Sequence, residues 1–253
     1  LAGGCAKGYQ MAGFWVRGID IKPQPRYVGD EFIQTDALEY LRGLIESGEI
    51  REFDVVHASP PCQGYSRMRH LPWLKGKVYP MLIESTRELL KIAGTSYVME
   101  NVEGAPIEDL PLLGCHAITL CGTMFGLKLY RHRLFESNIH LAQPIHTRHS
   151  VTIGIGRHLN DRAQPNAEGW VSLPAKAKKK QSFSMKACGA ANFNGLRDSG
   201  NGIFTVADHF SGIEMARKAM GIDWMSRDEL AQSIPPAYTH WLGRQLRESM
   251  LRR

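Results

Sequence analysis

The sequence predicts an α/β fold built on a parallel sheet, and three observations support this. Apolar runs typical of buried strands occur at residues 53–56 and 96–102. Stretches with a helical pattern, such as 37–47, lie between the strand patterns. A glycine-rich turn at 1–13 is followed by a strand pattern at 14–21, which together form half of a nucleotide-binding βαβ unit. Strands that alternate with helices are typical of open α/β sheets.

The glycine-rich segment contains Gly3 and Gly4 and predicts a turn that opens a helix. Glycines allow a ligand to approach the backbone closely, and the first turn of a helix offers free N–H groups. The strand that follows ends at Asp20, where an acid can hydrogen-bond ribose hydroxyls. The same glycines would also serve in a simple turn. A short strand pattern at 32–36 then ends in Asp36, which is a candidate N-cap for the next helix.

Cys62 follows the strand pattern at 53–56 and lies between a pair of prolines and a Gln-Gly turn. Prolines stiffen the backbone, so this setting would present the sulfur as a nucleophile requires. An isolated cysteine more often packs as a small hydrophobic residue. However, the strand pattern at 96–102 carries Glu100 close to its end. Because parallel strands end at the same edge of a sheet, where α/β folds bind ligands, we expect Cys62 and Glu100 to lie together.

Composition narrows the class of protein. With 253 residues, 43% of them hydrophobic, the chain can bury one large α/β core and a small appended region. A formal charge of +6 favours a polyanionic partner such as nucleic acid. The five cysteines form no CxxC pair, so their spacing predicts neither a disulfide framework nor a metal site. No long apolar run or signal peptide is evident, and a free thiol suits a reducing cytoplasm.

Three short motifs follow one another along the chain, each after a predicted strand or opening one. They are Pro60-Pro61-Cys62-Gln63, Glu100-Asn101-Val102 and Arg131-His132-Arg133. In this order and at these spacings they resemble the catalytic motifs of the C5-cytosine DNA methyltransferases. The resemblance implies a Rossmann-like sheet that binds S-adenosylmethionine, with a small, irregular target-recognition region and duplex DNA as the partner.

The resemblance also assigns chemistry to four residues. Cytosine C5 is a weak nucleophile, so a thiolate must first add at C6 and turn the ring into an enamine; Cys62 would make that bond. Glu100 would share a proton with N3, and we expect burial to raise its pKa. Arg133 would hold the O2 edge of the base, and Arg131 would support Cys62 or a phosphate. We expect one of these cations to favour the thiolate. The cytosine must be flipped out of the duplex.

A cofactor site for S-adenosylmethionine is implied in the same way. Its candidate residues are Gly3, Gly4, Asp20, Ile21, Asp36 and Ser59. Asp36 would accept a hydrogen bond from the adenine amino group, a role that can coexist with helix capping. The chain departs from the family pattern where Leu1 replaces a frequent glycine and no strand precedes the loop, and where Pro235-Pro236 replaces a Gly-Asn pair. No cofactor contact is therefore assigned near the C-terminus.

The domain prediction places a catalytic and cofactor-binding domain at 1–137, a target-recognition region at 138–206, and C-terminal helices at 207–253 that return to the catalytic domain. The middle region has little apolar periodicity, and its lysine cluster at 176–180 would either contact phosphates or form a solvated face. A basic loop at 64–78 would either close over the substrate or be a solvated loop. Candidate base-reading residues, among which the sequence does not choose, are Arg157, His158, Asn160, Arg162, Asn192, Asn194 and Arg197.

Two alternative functions stay open at this point. The same residues could methylate a cytosine in RNA, since one branch of the family resembles the DNA enzymes but acts on tRNA. A binding module that kept the fold and lost catalysis is the other alternative, although such a module would not need Cys62, Glu100 and both arginines. Transfer of a group other than methyl is a further variant of the chemistry. We expect a monomer in the cytoplasm of a bacterium or of a phage host, with no metal and no membrane partner.

Overall fold

The structure is a computed structural model, and it describes residues 2–66, 76–109, 116–146 and 213–252. Most of the target-recognition region, with its lysine cluster and candidate base readers, lies outside these residues, as does most of the basic loop. Within the described part of the chain, no helix is both long and apolar enough to span a membrane.

Two sheets form the centre of the molecule. The strands are β1 Arg17–Asp20, β2 Glu31–Gln34, β3 Val55–Ala58, β4 Ser96–Asn101, β5 Ile118–Leu120 and β6 Arg133–Ser137. β1 and β2 pair in parallel, while the second sheet has the order β3-β4-β6-β5. In that sheet β3 and β4 are parallel, whereas β6 is antiparallel to both β4 and β5. The predicted α/β fold is therefore confirmed, with a mixed rather than an all-parallel sheet.

Helices flank these strands. They are α1 Gly4–Met11, α2 Ala37–Ser47, α3 Ile83–Ala93, α4 Ile213–Met220, α5 Arg227–Gln232 and α6 Pro236–Met250, with 3₁₀ turns at Glu49–Glu52 and Gly122–Phe125. The apolar residues between 79 and 92 predict a partly amphipathic helix, and α3 begins four residues later than this pattern, at Ile83. Pro236 occupies the first turn of α6, where a proline is favoured.

α6 returns to pack against α1 and the second sheet. Gly8 of α1 lies so close to the Pro236 carbonyl that a side chain there would collide with it. Thr239 donates a hydrogen bond to the Cys5 carbonyl at 2.9 Å. Tyr9 of α1 and Tyr238 of α6 share a buried cluster with residues of β4, β5 and β6. α6 thus supports α1, and the predicted domain boundaries stay a prediction.

A buried ion pair fastens α3 to β6. Arg87 and Glu136 are both fully buried, with 2.8 Å between Arg87 Nη2 and Glu136 Oε2. The Glu136 carboxylate also accepts hydrogen bonds from the Tyr97 hydroxyl and the Glu108 N–H, each at 3.0 Å. The Arg87 guanidinium further contacts Glu84 at 2.6 Å. This network gives the buried charges of Arg87 and Glu136 partners inside the protein, and its role is structural.

Candidate active site

The loop that carries Cys62 is held against the end of β4. The Cys62 carbonyl accepts hydrogen bonds from the N–H groups of Tyr65 and Ser66 at 3.0 and 2.9 Å, which closes a tight turn after the prolines. Asn101, the last residue of β4, donates its side-chain amide to the Pro60 carbonyl at 3.0 Å. The half-buried Cys62 is therefore fixed beside the carboxyl ends of β3 and β4.

An ion pair lies at the same edge of the sheet. Arg133 Nε is 3.0 Å from Glu100 Oε1, and the two side chains are 16% and 9% exposed. Glu100 lies near the end of β4 and Arg133 begins β6, and these positions meet because the two strands are antiparallel. The structure thus brings together Glu100, Arg133 and the Cys62 loop, as the sequence predicts.

Charges around Cys62 act in opposite directions on its thiol. Burial raises the pKa of Cys62, Arg133 opposes this effect, Glu100 adds to it, and Arg131 opposes it. Both arginines act in the predicted direction and favour the thiolate, but burial outweighs them and the net shift of the pKa is upward. In the free protein the Cys62 thiol is therefore protonated at neutral pH.

Glu100 is the second titrating group of the site. Burial raises the pKa of Glu100, while the charge of Arg133, a hydrogen bond with Ser59 and the charge of Arg131 lower it. The net direction is upward, as expected from the sequence. A carboxyl group of this kind gains a proton more readily than an exposed glutamate does.

Arg131 connects the site to the C-terminal helices. Its side chain is buried, and Nη2 donates to the Ala231 carbonyl of α5 at 2.8 Å. Its own carbonyl accepts a hydrogen bond from the Tyr238 hydroxyl at 2.5 Å. Burial lowers the pKa of Arg131 to about 9, which still leaves it charged at neutral pH. The charge of the buried Arg131 therefore lowers the pKa of both Cys62 and Glu100.

A chain of polar side chains that the sequence analysis did not identify approaches Glu100 from α1. The Tyr9 hydroxyl is 2.9 Å from His57 Nδ1, and His57 Nε2 is 3.1 Å from the Ser59 hydroxyl. Ser59 in turn hydrogen-bonds Glu100. Burial lowers the pKa of His57 to about 4, so its ring is neutral and has one donor and one acceptor nitrogen. A histidine directly after the apolar run at 53–56 is the signal in the sequence that could have identified this chain of side chains.

The predicted cofactor residues fall on the neighbouring sheet and on α1. Gly3 precedes α1 with φ at 87°, a left-handed conformation that favours glycine, and within the described residues no side chain caps this helix. Gly4 is the first residue of α1. Asp20 ends β1 and accepts hydrogen bonds from the Lys22 N–H and the Gln24 side chain, both at 2.9 Å.

Asp36 and Ile21 lie where the two parallel strands of the first sheet end. Asp36 caps α2 by accepting from the N–H groups of Leu38 and Glu39 at 2.8 and 3.1 Å. Both of these bonds use Oδ1, so Oδ2 can accept from a ligand. Ile21 is 64% exposed directly after β1. The N-cap role of Asp36 is confirmed, and its cofactor role stays a prediction.

This arrangement of strands, with a glycine-opened helix before the first of them, defines a Rossmann-like α/β fold. Neither a protein-family model nor a curated protein matches the sequence. A solved structure described as a DNA modification methyltransferase encoded within an E. coli prophage superposes with a TM-score of 0.55, covering 100% of this chain and 97% of that chain at 14% identity. A mutant of DNMT2 from Spodoptera frugiperda superposes with a TM-score of 0.50, covering 97% and 96% at 13% identity. The chain has the fold of these methyltransferases.

Proposed function

We propose that this protein transfers a methyl group from S-adenosylmethionine to C5 of a flipped-out cytosine in duplex DNA. The observation that carries the proposal is the Glu100–Arg133 pair, with 3.0 Å between Nε and Oε1, at the sheet edge that also holds Cys62. A nucleophile, a carboxyl group with a raised pKa and a cation are the groups that this reaction needs. The shared fold and the net charge of +6 support a methyltransferase with a polyanionic substrate.

Cys62 is the nucleophile in this proposal. Its sulfur forms a bond with cytosine C6, and the thiol proton passes to solvent before or during that step. After methyl transfer to C5, loss of the C5 proton to solvent expels the Cys62 sulfur and restores the ring. Because burial raises the pKa of Cys62 in the free protein, formation of the thiolate requires the loss of a proton in each catalytic cycle. Arg133 and Arg131 then stabilise the negative sulfur. Arg131 is too buried to meet a DNA phosphate, so we assign it to the support of Cys62.

Glu100 and Arg133 recognise the cytosine and accept its charge. As sulfur adds at C6, electron density moves onto N3, where the Glu100 carboxyl can share its proton. Arg133 uses Nε for Glu100 and Nη1 for the His132 carbonyl at 2.7 Å, and its other N–H groups can donate to O2 of the base. Ser59 orients the Glu100 carboxyl, with His57 and Tyr9 behind it.

The cofactor residues fit S-adenosylmethionine by the chemistry of their donors and acceptors. The first turn of α1 offers N–H groups, Asp20 ends β1 where an acid can hydrogen-bond ribose hydroxyls, and Asp36 Oδ2 can accept from an amino group. The exposed Ile21 gives an apolar surface for the adenine ring. When bound, S-adenosylmethionine supplies an electrophilic methyl group on sulfur. Ser59, which the sequence placed in this set, is proposed to position Glu100 instead.

The decisive experiment is the transfer of labelled methyl from S-adenosylmethionine to unmodified duplex DNA, followed by nucleoside mass spectrometry. We expect 5-methylcytosine from the native protein. Cys62→Ala should lower the rate by about 10⁴-fold or more, because the variant lacks the thiol that forms the C6 bond. Calorimetry should show that this variant still binds S-adenosylmethionine. Undiminished methyl transfer by Cys62→Ala would refute the mechanism.

The same assay with tRNA tests the alternative substrate. A positively charged surface suits DNA and RNA equally, so the substrate must be found by direct comparison. Product on tRNA but not on DNA would move the assignment to RNA. No product on either substrate, with a folded protein that still binds S-adenosylmethionine, would favour a binding module.

A further inference from the structure

A second cluster of reactive side chains lies behind the catalytic arginines. Cys121, His132 and His146 each direct one ligand atom towards the others, and these atoms lie within 4.8 Å of one another. Cys121 is fully buried directly after β5. The rings of His132 and His146 are nearly perpendicular, at 87°, with centroids 5.2 Å apart. The three residues come from separate parts of the sequence, so only the fold brings them together.

A carboxylate orients one of these histidines. His132 Nδ1 is 3.2 Å from Glu103 Oε1, and Glu103 itself is half exposed. A histidine that donates its Nδ1–H to a carboxylate presents the lone pair of Nε2, and this pairing is common behind histidines that bind metals. The His132 Nε2 atom is completely buried, and the His132 side chain forms a hydrogen bond with Cys121.

We propose that Cys121, His132 and His146 bind a zinc ion. One thiolate and two imidazoles form a donor set that zinc prefers over magnesium or calcium, which select oxygen ligands. Zinc–ligand bonds of about 2.0–2.3 Å place tetrahedral ligand atoms about 3.5 Å apart, so small side-chain rotations would close the present cluster around an ion. Among the described residues three donors converge, and a water molecule or a donor from outside this set would complete a tetrahedron.

The ion would have a structural role. It would connect Cys121, directly after β5, to His132, which lies between Arg131 and Arg133. It would also connect both of these residues to His146, in the segment that follows β6. The positions of the two arginines would then depend on the metal, although the metal touches no reacting atom. The cysteine spacing predicts no metal site because Cys121 belongs to no CxxC pair. Its two histidine partners follow 11 and 25 residues later, without the short spacing of a paired-ligand motif.

Metal analysis of the purified, untagged full chain tests this proposal without DNA or methyl donor, so it does not depend on the proposed reaction. We expect about one zinc per chain by mass spectrometry of the metal. Apoprotein titrated with Co²⁺ should give the visible spectrum of a tetrahedral site and a thiolate charge-transfer band. His146→Ala and Cys121→Ser should abolish both signals, and Glu103→Gln should weaken zinc binding about 10- to 100-fold.

Matched variants separate this site from adventitious binding. His140→Ala removes an exposed histidine from the same segment, and Cys62→Ala removes another thiol; both should keep about one zinc per chain. A chelator should lower the Tm of the native protein but not that of His146→Ala. If Cys121→Ser fails to fold, the partly exposed His146→Ala decides the question. Native protein that binds neither zinc nor cobalt, or unchanged binding in His146→Ala, would overturn the proposal.

Discussion

Two arginine–glutamate pairs in this molecule use the same chemistry for different ends. Arg87 and Glu136 are fully buried, with 2.8 Å between Nη2 and Oε2, and the Tyr97 hydroxyl also donates to this carboxylate. Arg133 and Glu100 approach within 3.0 Å but keep 16% and 9% of their side chains exposed. Glu136 lies on β6 and Glu100 on β4, so neighbouring strands carry the two glutamates.

The difference lies in what each carboxylate can still accept. The protein surrounds Glu136 with donors, so this group has neither room nor need for a ligand. Glu100 has fewer partners, and burial raises its pKa at an edge where a base could enter. A complete set of partners thus marks a pair that supports the fold, while an incomplete set marks a pair available for chemistry.

The largest expected effect on stability concerns the Arg87–Glu136 pair, called the closed pair because the protein surrounds its carboxylate with donors. Glu136→Gln would leave the Arg87 charge buried with only the more exposed Glu84 and Glu108 nearby. We expect a loss of about 3 kcal/mol in the free energy of unfolding, measured by urea denaturation. Glu84→Gln is the matched control, because its side chain is 67% exposed and should contribute less than about 1 kcal/mol. Equal effects of the two variants would remove the distinction between closed and open pairs.

The next prediction concerns activity at the Glu100–Arg133 pair, called the open pair because its side chains stay partly exposed. Glu100→Gln should reduce the rate of methyl transfer about 10²- to 10⁴-fold, because the amide cannot share a proton with N3. Its stability should match or exceed that of the native protein. The raised pKa of Glu100 means that the carboxylate destabilises the folded state, and this cost appears as pH rises from the ordinary value of 4.5 through the raised value. Denaturation of both proteins between pH 4 and pH 8 should show the variant gaining relative stability with pH.

A pH effect of intermediate size should come from His57. Its folded-state pKa is lowered from 6.5 to about 4, so the folded protein resists protonation of this ring. The resulting stability is present above pH 6.5 and is lost as pH falls through about 4. In His57→Gln the decline over this interval should be smaller by about 1 to 3 kcal/mol. A decline identical to that of the native protein would contradict the lowered pKa.

The sequence predicts the parts of the site that lie at the ends of strands. Cys62 and Glu100 could be placed together because each lies close to the end of an apolar run, whereas the resemblance of the Arg131-His132-Arg133 motif added Arg133. Burial is not visible in a local pattern, and this explains why the cations near Cys62 were recognised while the dominant effect on its pKa was not. The antiparallel pairing of β6 was missed for a related reason, since it depends on contacts between distant residues.

Long-range contacts also account for the polar groups that the sequence did not identify. Tyr9 reaches His57 only because α1 packs near β3, and the Arg87–Glu136 pair exists only because α3 lies beside β6. Asp36 has one role that neighbouring residues determine and one that long-range contacts would determine. Its helix-capping role follows from neighbouring residues and was predictable, whereas contact with a cofactor depends on the ends of two strands lying side by side.

Ser59 should give the smallest effect and the sharpest test of the open pair. Its hydrogen bond lowers the pKa of Glu100, so Ser59→Ala should raise that pKa further. We expect roughly a tenfold lower kcat, since the carboxyl group is still present but less well oriented. The limb of the pH profile that reports Glu100 should move to higher pH, and Ser59→Thr, which keeps the hydroxyl, should restore it. A lower kcat with an unmoved profile would mean that Ser59 contacts the cofactor rather than Glu100, as the sequence alone suggests.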